Sequence, residues 1–363
     1  MINETEIMRA VVANAERIVK TAPAQNGVVL VNAAELVPQP VEWLWNGWLA
    51  RGKMHLLAGA PGQGKTTITV DFAATVTRGG QWPDGTPCEP GNVLIWSGED
   101  DAADTLVPRL MAAGADLKRV DFISGVNING ELRPFDPARD MFSLREQTLR
   151  QGNIRLIIVD PIVSAVTGDS HKNTETRRAL QPLVDLAHET GACLIGITHF
   201  SKGGQGADPT QRVIGSIAFA AVARVVMVAA KVRSDDGEDR RVLARSKSNI
   251  GPDNGGFEYH LEQCEPQKGI PASRIAWGAM LPGSAQELLT DPNEQCDESS
   301  SALDSATEFL REVLGTDVVP TKEVEREARQ AGVALRTLRR AAQLLNVRKQ
   351  RGAENKWYWS LPK

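Results

Sequence analysis

At 363 residues, with 42% hydrophobic and 24% charged residues, the chain has the make-up of a water-soluble protein of two or three domains. No apolar run approaches the roughly 20 residues that span a bilayer, and the four cysteines, Cys88, Cys193, Cys264 and Cys296, lie too far apart for a disulfide framework or a zinc site. A net charge of -4 gives no global sign of nucleic-acid binding, so any such function has to come from a local patch.

The opening Met1 to Glu4 carries an acid where a signal peptide carries basic residues. The expectation is a cytoplasmic protein with reduced thiols and no membrane partner. Residues 3–20 put Ile7, Met8, Val11, Val12, Ala15, Ile18 and Val19 on one helical stripe, which reads as a docking surface against its own core or a neighbouring subunit. Three prolines then break periodicity over 21–40, a linker, so that 1–40 is expected as helix plus linker.

Residues 41–281 alternate apolar strands with helical periods. Strands are predicted over 54–60, 92–99, 120–126, 154–160 and 192–198, and helices over 65–77, 101–113 and about 174–190, with Asp101 as an N-cap. Residues 154–160 (IRLIIVD) and 192–198 (ACLIGIT) are continuous apolar runs, the mark of strands buried on both faces. Repeated strand–helix units give an α/β fold with a mainly parallel sheet. Beyond residue 220 strands follow one another over 223–232, 240–247 and 257–262, as antiparallel additions to one edge.

Residues 282–301 read as an interdomain linker, rich in Pro, Ser, Asp, Glu and Asn. Residues 302–363 form a last small domain, with helices over 305–314, 321–330 and 335–345 and a hairpin around Gly352. From Val333 to Lys363 there are eight basic residues and one acid, against twelve acids and four bases from Ser284 to Gly332. Arg336, Arg339 and Arg340 lie off the apolar face of the third helix, and Arg348, Lys349 and Arg351 precede the turn. Helix, helix, basic helix, hairpin is the order of a winged helix, whose third helix and wing meet DNA. A protein-binding winged helix is the alternative.

The chemistry concentrates in a few motifs. Gly59, Ala60, Pro61, Gly62, Gln63, Gly64, Lys65 and Thr66 fit G-x-x-x-x-G-K-[ST] between a predicted strand and a predicted helix, with Thr67 following. Glycines let backbone N–H groups converge on phosphate oxygens, and the helix N-terminus adds positive charge. Lys65 is expected to reach the β- and γ-phosphates and Thr66 to ligate Mg2+. Asp160 ends the apolar strand that precedes it, where a carboxylate sits beside the metal; a cap on the next segment is the plainer alternative. Glu99, in SGEDD after the strand that follows the P-loop helix, is placed to activate water, while Asp100 and Asp101 are better placed to open a helix. His199 follows the last parallel strand, within reach of a γ-phosphate; spacing alone favours an ordinary core histidine. The glycine-rich 203–206 stretch with Lys202 resembles a phosphate loop without its Lys-Ser/Thr. An N-K-x-D guanine element does not occur, which favours ATP over GTP.

On the motifs WLARGKMHLLAGAPGQGKTT, VLIWSGEDD, PRLMAAGAD, LIIVDP, GITHFSKGG, GSIAFAAVARVV and RSKSNIG, residues 43–263 resemble the RecA-like ATPases of the DnaB and RadA group. Within it the chain is most similar to plasmid RepA-type replicative helicases and related phage or mobile-element ATPases. The resemblance implies a RecA-like P-loop core with Lys65 and Thr66 on nucleotide, Glu99 as catalytic base, Asp160 on the metal and His199 as a switch. It puts a trans-acting arginine finger at Arg224, with Lys247 as a second cation. Pore-loop contacts to single-stranded DNA fall on Lys172, Lys202 and Arg212. It also implies six-membered rings. The C-terminal addition departs from the compact plasmid helicases. The expected function is an ATP-hydrolysing DNA motor; the alternatives are an ATP-switched DNA-binding initiator, repressor or loader, and a RadA-type recombinase, for which the N-terminal segment offers no obvious polymerisation motif.

Overall fold

A computed structural model of the chain describes residues 30–166, 173–199, 217–233, 239–289, 306–307, 309–311, 313–314, 318–331, 333, 335–351 and 357–362. The apolar stripe over 3–20, Lys172, Lys202, Arg212, Cys296 and the glycine-rich 203–206 stretch lie outside the described residues. The chain forms two compact units, Met1–Glu42 and Trp43–Lys363. In the described part of the first, Ala33–Glu35 make one 3-10 turn, capped by Asn32, whose Oδ1 accepts from the Ala34 amide at 2.9 Å.

The second unit opens with a short antiparallel pair, β1 (Trp43–Trp45) and β2 (Leu49–Ala50). Next come β3 (Met54–Gly59), buried throughout, and α1 (Lys65–Arg78). β4 (Asn92–Ser97) leads into a π turn at Ala102–Leu106 and α2 (Val107–Ala112). β5 (Val120–Phe122), the hairpin β6 (Val126–Ile128) and β7 (Glu131–Arg133), α3 (Pro137–Gln151) and β8 (Ile154–Asp160) follow. The remainder of the core is α4 (Asn173–Thr190), β9 (Cys193–His199), α5 (Ile217–Val222), β10 (Val225–Arg233), β11 (Asp239–Ser248), β12 (Gly256–Gln267), β13 (Ile270–Leu281) and α6 (Ala285–Leu289). No helix among the described residues is long and apolar enough to cross a membrane.

Nine strands form the central sheet, in the order β13-β12-β11-β10-β3-β9-β8-β4-β5. Pairing is parallel from β10 through β3, β9, β8 and β4 to β5, and antiparallel from β10 out to β13. The continuous apolar runs sit in the middle, where both faces are covered. Ile68, Phe72 and Val76 of α1 and Leu110 of α2 cover one face. Leu180, Leu183 and Leu186 of α4 and Phe219 of α5 cover the other.

Three boundaries differ from the sequence expectations. The strand expected over 120–126 is broken: 120–122 extend the sheet, whereas 126–128 belong to the separate β6–β7 hairpin. The chain crosses so close at Gly125 that a Cβ there would lie 2.5 Å from the Arg133 carbonyl oxygen. The strand expected over 257–262 runs on to Gln267 and turns into β13, which was not anticipated. The stretch 282–301, expected as linker, contains α6, whose Ala285 and Leu288 are buried against Val232, Val242 and Ala244.

The C-terminal segment has its own apolar cluster, including Leu310, Leu314, Val324, Ala328, Leu338, Ala342 and Trp359. Helical residues at 306–307, 309–311 and 313–314 precede β14 (Val319–Pro320), α7 (Thr321–Gln330), α8 (Leu335–Leu344), β15 (Arg348–Arg351) and β16 (Trp357–Ser360). The three strands pair in the order β14-β16-β15. The helices expected over 321–330 and 335–345 are present, and β15 and β16 pair antiparallel as the hairpin requires, though its turn around Gly352 lies outside the described residues; β14 was not anticipated.

A ring cluster backs α1: Trp45 stacks on Trp48 and Trp82, and Phe72, Phe257 and Trp277 complete it. The Trp277 indole N–H donates to Asp71 Oδ2 of α1 at 2.7 Å. Burial pushes the Asp71 carboxyl up to about 6, against the indole bond and nearby Arg78, which both lower it. An unfolded aspartate titrates near 3.9. The folded state therefore holds the proton more tightly, and stability falls as pH rises from about 4 to about 6. Asp71→Asn keeps an acceptor for Trp277 and removes that loss. It is expected to raise unfolding free energy at pH 7.5 by about 2 kcal/mol, allowing for partial solvent access. The gain over wild type should shrink at pH 4.5; urea midpoints that coincide at pH 7.5 would exclude the effect.

Candidate nucleotide site

Sheet register assembles the site. Parallel pairing sets Gly59 of β3 beside His199 of β9, and Ser97 of β4 beside Asp160 of β8. Because β9 lies between β3 and β8, the P-loop, His199, Asp160 and the turn carrying Glu99 meet at one sheet edge, the carboxyl edge.

The loop between β3 and α1 turns through Gly62 (φ 76°) and Gly64 (φ 78°), both in the left-handed region that glycine alone enters freely. A Cβ on Gly59 would lie 2.3 Å from the Ala229 carbonyl oxygen, so the neighbouring strand allows no side chain there. A Cβ on Gly62 would meet nothing within 4 Å, which leaves that side of the loop open. Lys65 Nζ donates to the carbonyl oxygens of Gly59 and Ala60, both at 3.0 Å, and lies 3.2 Å from His199 Nδ1. An ammonium only donates, so Nδ1 accepts and neutral His199 carries its proton on Nε2. That nitrogen faces Glu99, 3.9 Å from Oε2.

Thr66 Oγ1 donates to Asp160 Oδ2 at 2.6 Å. Burial pushes the Asp160 carboxyl above its usual range; the Thr66 bond and Lys65 lower it, and Glu99 and Asp100 raise it. Burial likewise lowers Lys65, opposed by Asp160 and Glu99. With Asp100 paired to Arg109, Asp160 and Glu99 face the single Lys65 ammonium, which leaves the edge short of positive charge. A hydroxyl and a carboxylate at this spacing are the oxygen donors that Mg2+ prefers, and a bound dication would reverse the upward pressure on Asp160. The residues fit Mg2+ and a polyphosphate.

The three acids of SGEDD separate cleanly. Asp101 caps the π turn, its Oδ1 accepting from Ala103 N at 2.7 Å and Asp104 N at 3.1 Å. Asp100 pairs with Arg109 at 2.8 Å and is braced by Ser97 Oγ. Glu99 is exposed beside His199.

Arg224 and Lys247 stand elsewhere. The Arg224 amide donates to Met54 O at 2.8 Å, at the start of β3. Five residues of strand separate Met54 from Gly59, about 17 Å at the usual rise. Lys247 Nζ donates to Ala220 O at 2.8 Å, and burial lowers it, helped by nearby Arg224 and Arg177. Both cations are thus tied to the amino side of β10, whereas Lys65 sits at the carboxyl edge. Arg177, which the sequence did not single out, lines with Arg224 a cleft of about 660 Å3 at that amino edge.

In the C-terminal segment Arg339, Arg340, Arg348 and Lys349 are exposed. Arg339 lies 4.0 Å from Glu325, and Lys349 Nζ sits 4.9 Å over the Trp359 ring. Arg339 and Lys349 share a cleft with Trp357, Glu323 and Glu325, so its charge is mixed. Arg336 belongs to α8 and Arg351 to β15, but their side chains lie outside the description.

Sequence reasoning also missed Tyr259, whose hydroxyl donates to Gln63 O at 2.6 Å across 196 residues of chain. No local signal announces such a contact.

The α/β core with its P-loop at the carboxyl edge of a mostly parallel sheet is that of a RecA-like P-loop NTPase. A family model described as an AAA domain matches residues 16–205. The DNA repair protein RadA of Brucella abortus (strain 2308) is 26% identical over 220 residues, 58% of this chain and 40% of that protein. The chain thus spans well under half the length of that relative. Among solved structures, a KaiC-like protein of Pyrococcus horikoshii OT3 aligns with 18% identity and a TM-score of 0.44, over 64% of this chain and 99% of that one.

Proposed function

We propose that this chain, which belongs to the AAA domain family, is an ATP-hydrolysing, ring-forming motor on DNA, a replicative helicase of a plasmid, phage or integrated element. One observation carries the reading: Lys65, Thr66, Asp160, Glu99 and His199 converge at one sheet edge through hydrogen bonds and strand register. The likeness to a DNA repair protein supports DNA as the partner.

The backbone amides of Gly62 to Thr66 bind phosphate oxygens, and Lys65 supplies positive charge to the β- and γ-phosphates. Thr66 and Asp160 would hold Mg2+, which would supply charge neutralisation at the phosphates. Glu99 orients the attacking water and takes its proton. His199 reports the state of the γ-phosphate through its contacts with Lys65 on one nitrogen and Glu99 on the other. Arg224 meets β3 at Met54, about 17 Å of strand from Gly59, and Lys247 is tied to Ala220, so both are proposed to act on nucleotide held by a neighbouring copy in a ring, expected to be a hexamer. Lys172, Lys202 and Arg212 follow strands at the P-loop edge in sequence and are the proposed contacts to single-stranded DNA.

A second reading, an ATP-switched DNA-binding protein, rests on the exposed Arg340 and Arg348 of a segment with winged-helix element order. In it the C-terminal segment chooses a duplex site and nucleotide controls assembly.

The test is the steady-state ATPase rate with and without single-stranded DNA, using Lys65→Ala as control. The motor reading expects stimulation of at least tenfold, with Lys65→Ala inactive. A slow rate indifferent to single strands overturns the motor in favour of the switch, and full activity in Lys65→Ala overturns both.

A further inference from the structure

We infer that Tyr259 is a positioning residue for nucleotide, its hydroxyl locking the P-loop peptide between Gln63 and Gly64 in the orientation that binds phosphate. The inference rests on reading the loop as a nucleotide site.

A glycine-rich loop has a physical weakness. Gly62 and Gly64 let it adopt positive φ, and the same freedom lets the peptide between them rotate at little steric cost. A phosphate site made of backbone amides works only when those amides point inward together. In a trans peptide the C=O and the next N–H point in opposite directions across one plane. Fixing the Gln63 carbonyl therefore fixes the Gly64 amide on the opposite side.

Tyr259 does this from β12. Its hydroxyl donates to Gln63 O at 2.6 Å, and the side chain is fully buried. Tyr259 pairs with Arg241 of β11 and Trp277 of β13, so a three-strand ladder holds the phenol in place. Burial pushes the phenol up, which keeps the hydroxyl a donor under ordinary conditions. Two residues on, the same strand adds a second restraint. A Cβ on Gly64 would lie 2.8 Å from Leu261 Cδ2, so Leu261 packs directly against the glycine that begins α1. The Gln63 side chain does not compete for the hydroxyl, since its buried Oε1 has no hydrogen-bond partner among the described residues. A flip of the Gln63–Gly64 peptide plane, through ψ of Gln63 and φ of Gly64, would turn the carbonyl, rather than the amide, toward phosphate, and a carbonyl repels it.

The test compares full-length wild type, Tyr259→Phe, Trp277→Phe and Lys65→Ala, with the fluorescent nucleotide mant-ATP and Mg2+ as probe. Tyr259→Phe keeps the ring and loses only the hydroxyl. Trp277→Phe keeps a ring beside Tyr259 and loses the indole bond to Asp71 of α1 without touching the Gln63 carbonyl. The expected result is a Kd raised five- to tenfold in Tyr259→Phe and within twofold of wild type in Trp277→Phe. At saturating ATP the kcat of Tyr259→Phe stays within twofold, a split between KM and kcat that loss of packing does not produce. Amide exchange of the peptide covering 59–66 in nucleotide-free protein should be faster in Tyr259→Phe alone, and this readout holds even where its thermal midpoint falls. A Kd for Tyr259→Phe within twofold of wild type, or equal weakening in both aromatic variants, overturns the inference. If wild type binds no nucleotide, or Lys65→Ala binds as wild type does, it is the P-loop reading itself that fails.

Discussion

Glu99→Gln is expected to lower ATP turnover by roughly 10^2- to 10^4-fold, the range for removing a general base, while nucleotide still binds. Glutamine keeps the length and shape of the side chain but cannot take a proton. The position tolerates the change because Glu99 is exposed and is engaged by His199 Nε2 at 3.9 Å rather than by a buried hydrogen bond. Its neighbours cannot step in. Asp101 is spent on capping the π turn and Asp100 on Arg109, which points it away from the role. Asp100→Asn is therefore the informative companion: it should cost some stability through the Arg109 contact and leave most of the turnover. The measurement is single-turnover hydrolysis of ATP beside mant-ATP binding for both variants. Turnover in Glu99→Gln within threefold of wild type would falsify the assignment of the base, and would direct attention to a residue brought in by a second copy.

How much of this was written in the sequence depends on how local each signal is. The P-loop, Asp160 and Glu99 each sit at the end of a contiguous apolar strand, so a short window contains both the strand and the reactive residue. Asp101 was legible as a cap for the same reason, and the structure shows both of its amide partners. His199 was different. A lone histidine after a strand has no periodicity to mark it: its place after the last parallel strand put it within reach of a γ-phosphate, spacing alone favoured an ordinary core residue, and the resemblance made it a switch. Its contact with Lys65 spans 134 residues. Tyr259 and Arg177 carried no signal, because their partners are set by sheet order rather than by spacing. β13 went unread because this edge strand shows no strict alternation: only Ala272 and Ile275 are buried, and Pro271, Ser273, Arg274 and Gly278 interrupt the apolar pattern. α6 was hidden by Pro282, Gly283 and Ser284, a run of turn formers that does cap the helix: Ser284 Oγ accepts from the Glu287 amide at 3.2 Å. The C-terminal helices and hairpin were legible from amphipathic spacing, whereas the two-residue β14 is too short for any period to show.

Trp45→Ala is expected to cost about 3–5 kcal/mol of unfolding free energy, the range for truncating a large aromatic in a packed core. Trp45 is 1% exposed and stands at the centre of the ring cluster behind α1. Its ring stacks on Trp82 at 5.0 Å and on Trp48 at 4.8 Å, and meets the edges or tilted faces of Phe72 and Phe257 at 5.5 Å each. Those four partners come from four different places in the chain: the β1–β2 turn, α1, the loop after α1, and β12. Among the described residues Trp45 is in ring contact with all four, so the cavity left by alanine closes only if α1 shifts. The indole N–H also donates to Asp84 Oδ2 at 2.9 Å, but Asp84 is exposed and turns to water when that donor is lost. Packing, not the hydrogen bond, is therefore the larger part of the loss. Trp45→Phe separates the two: it keeps an aromatic face, removes the donor, and should cost less than half as much. Urea unfolding followed by near-ultraviolet circular dichroism reads both variants. Because α1 begins at Lys65, a shifted helix also displaces the P-loop, and Trp45→Ala should weaken ATP binding at temperatures where the protein is still folded. If the alanine variant loses less than about 1 kcal/mol, the cluster relaxes around the gap and the position of α1 is fixed instead by Ile68 and Val76, which pack in the same core.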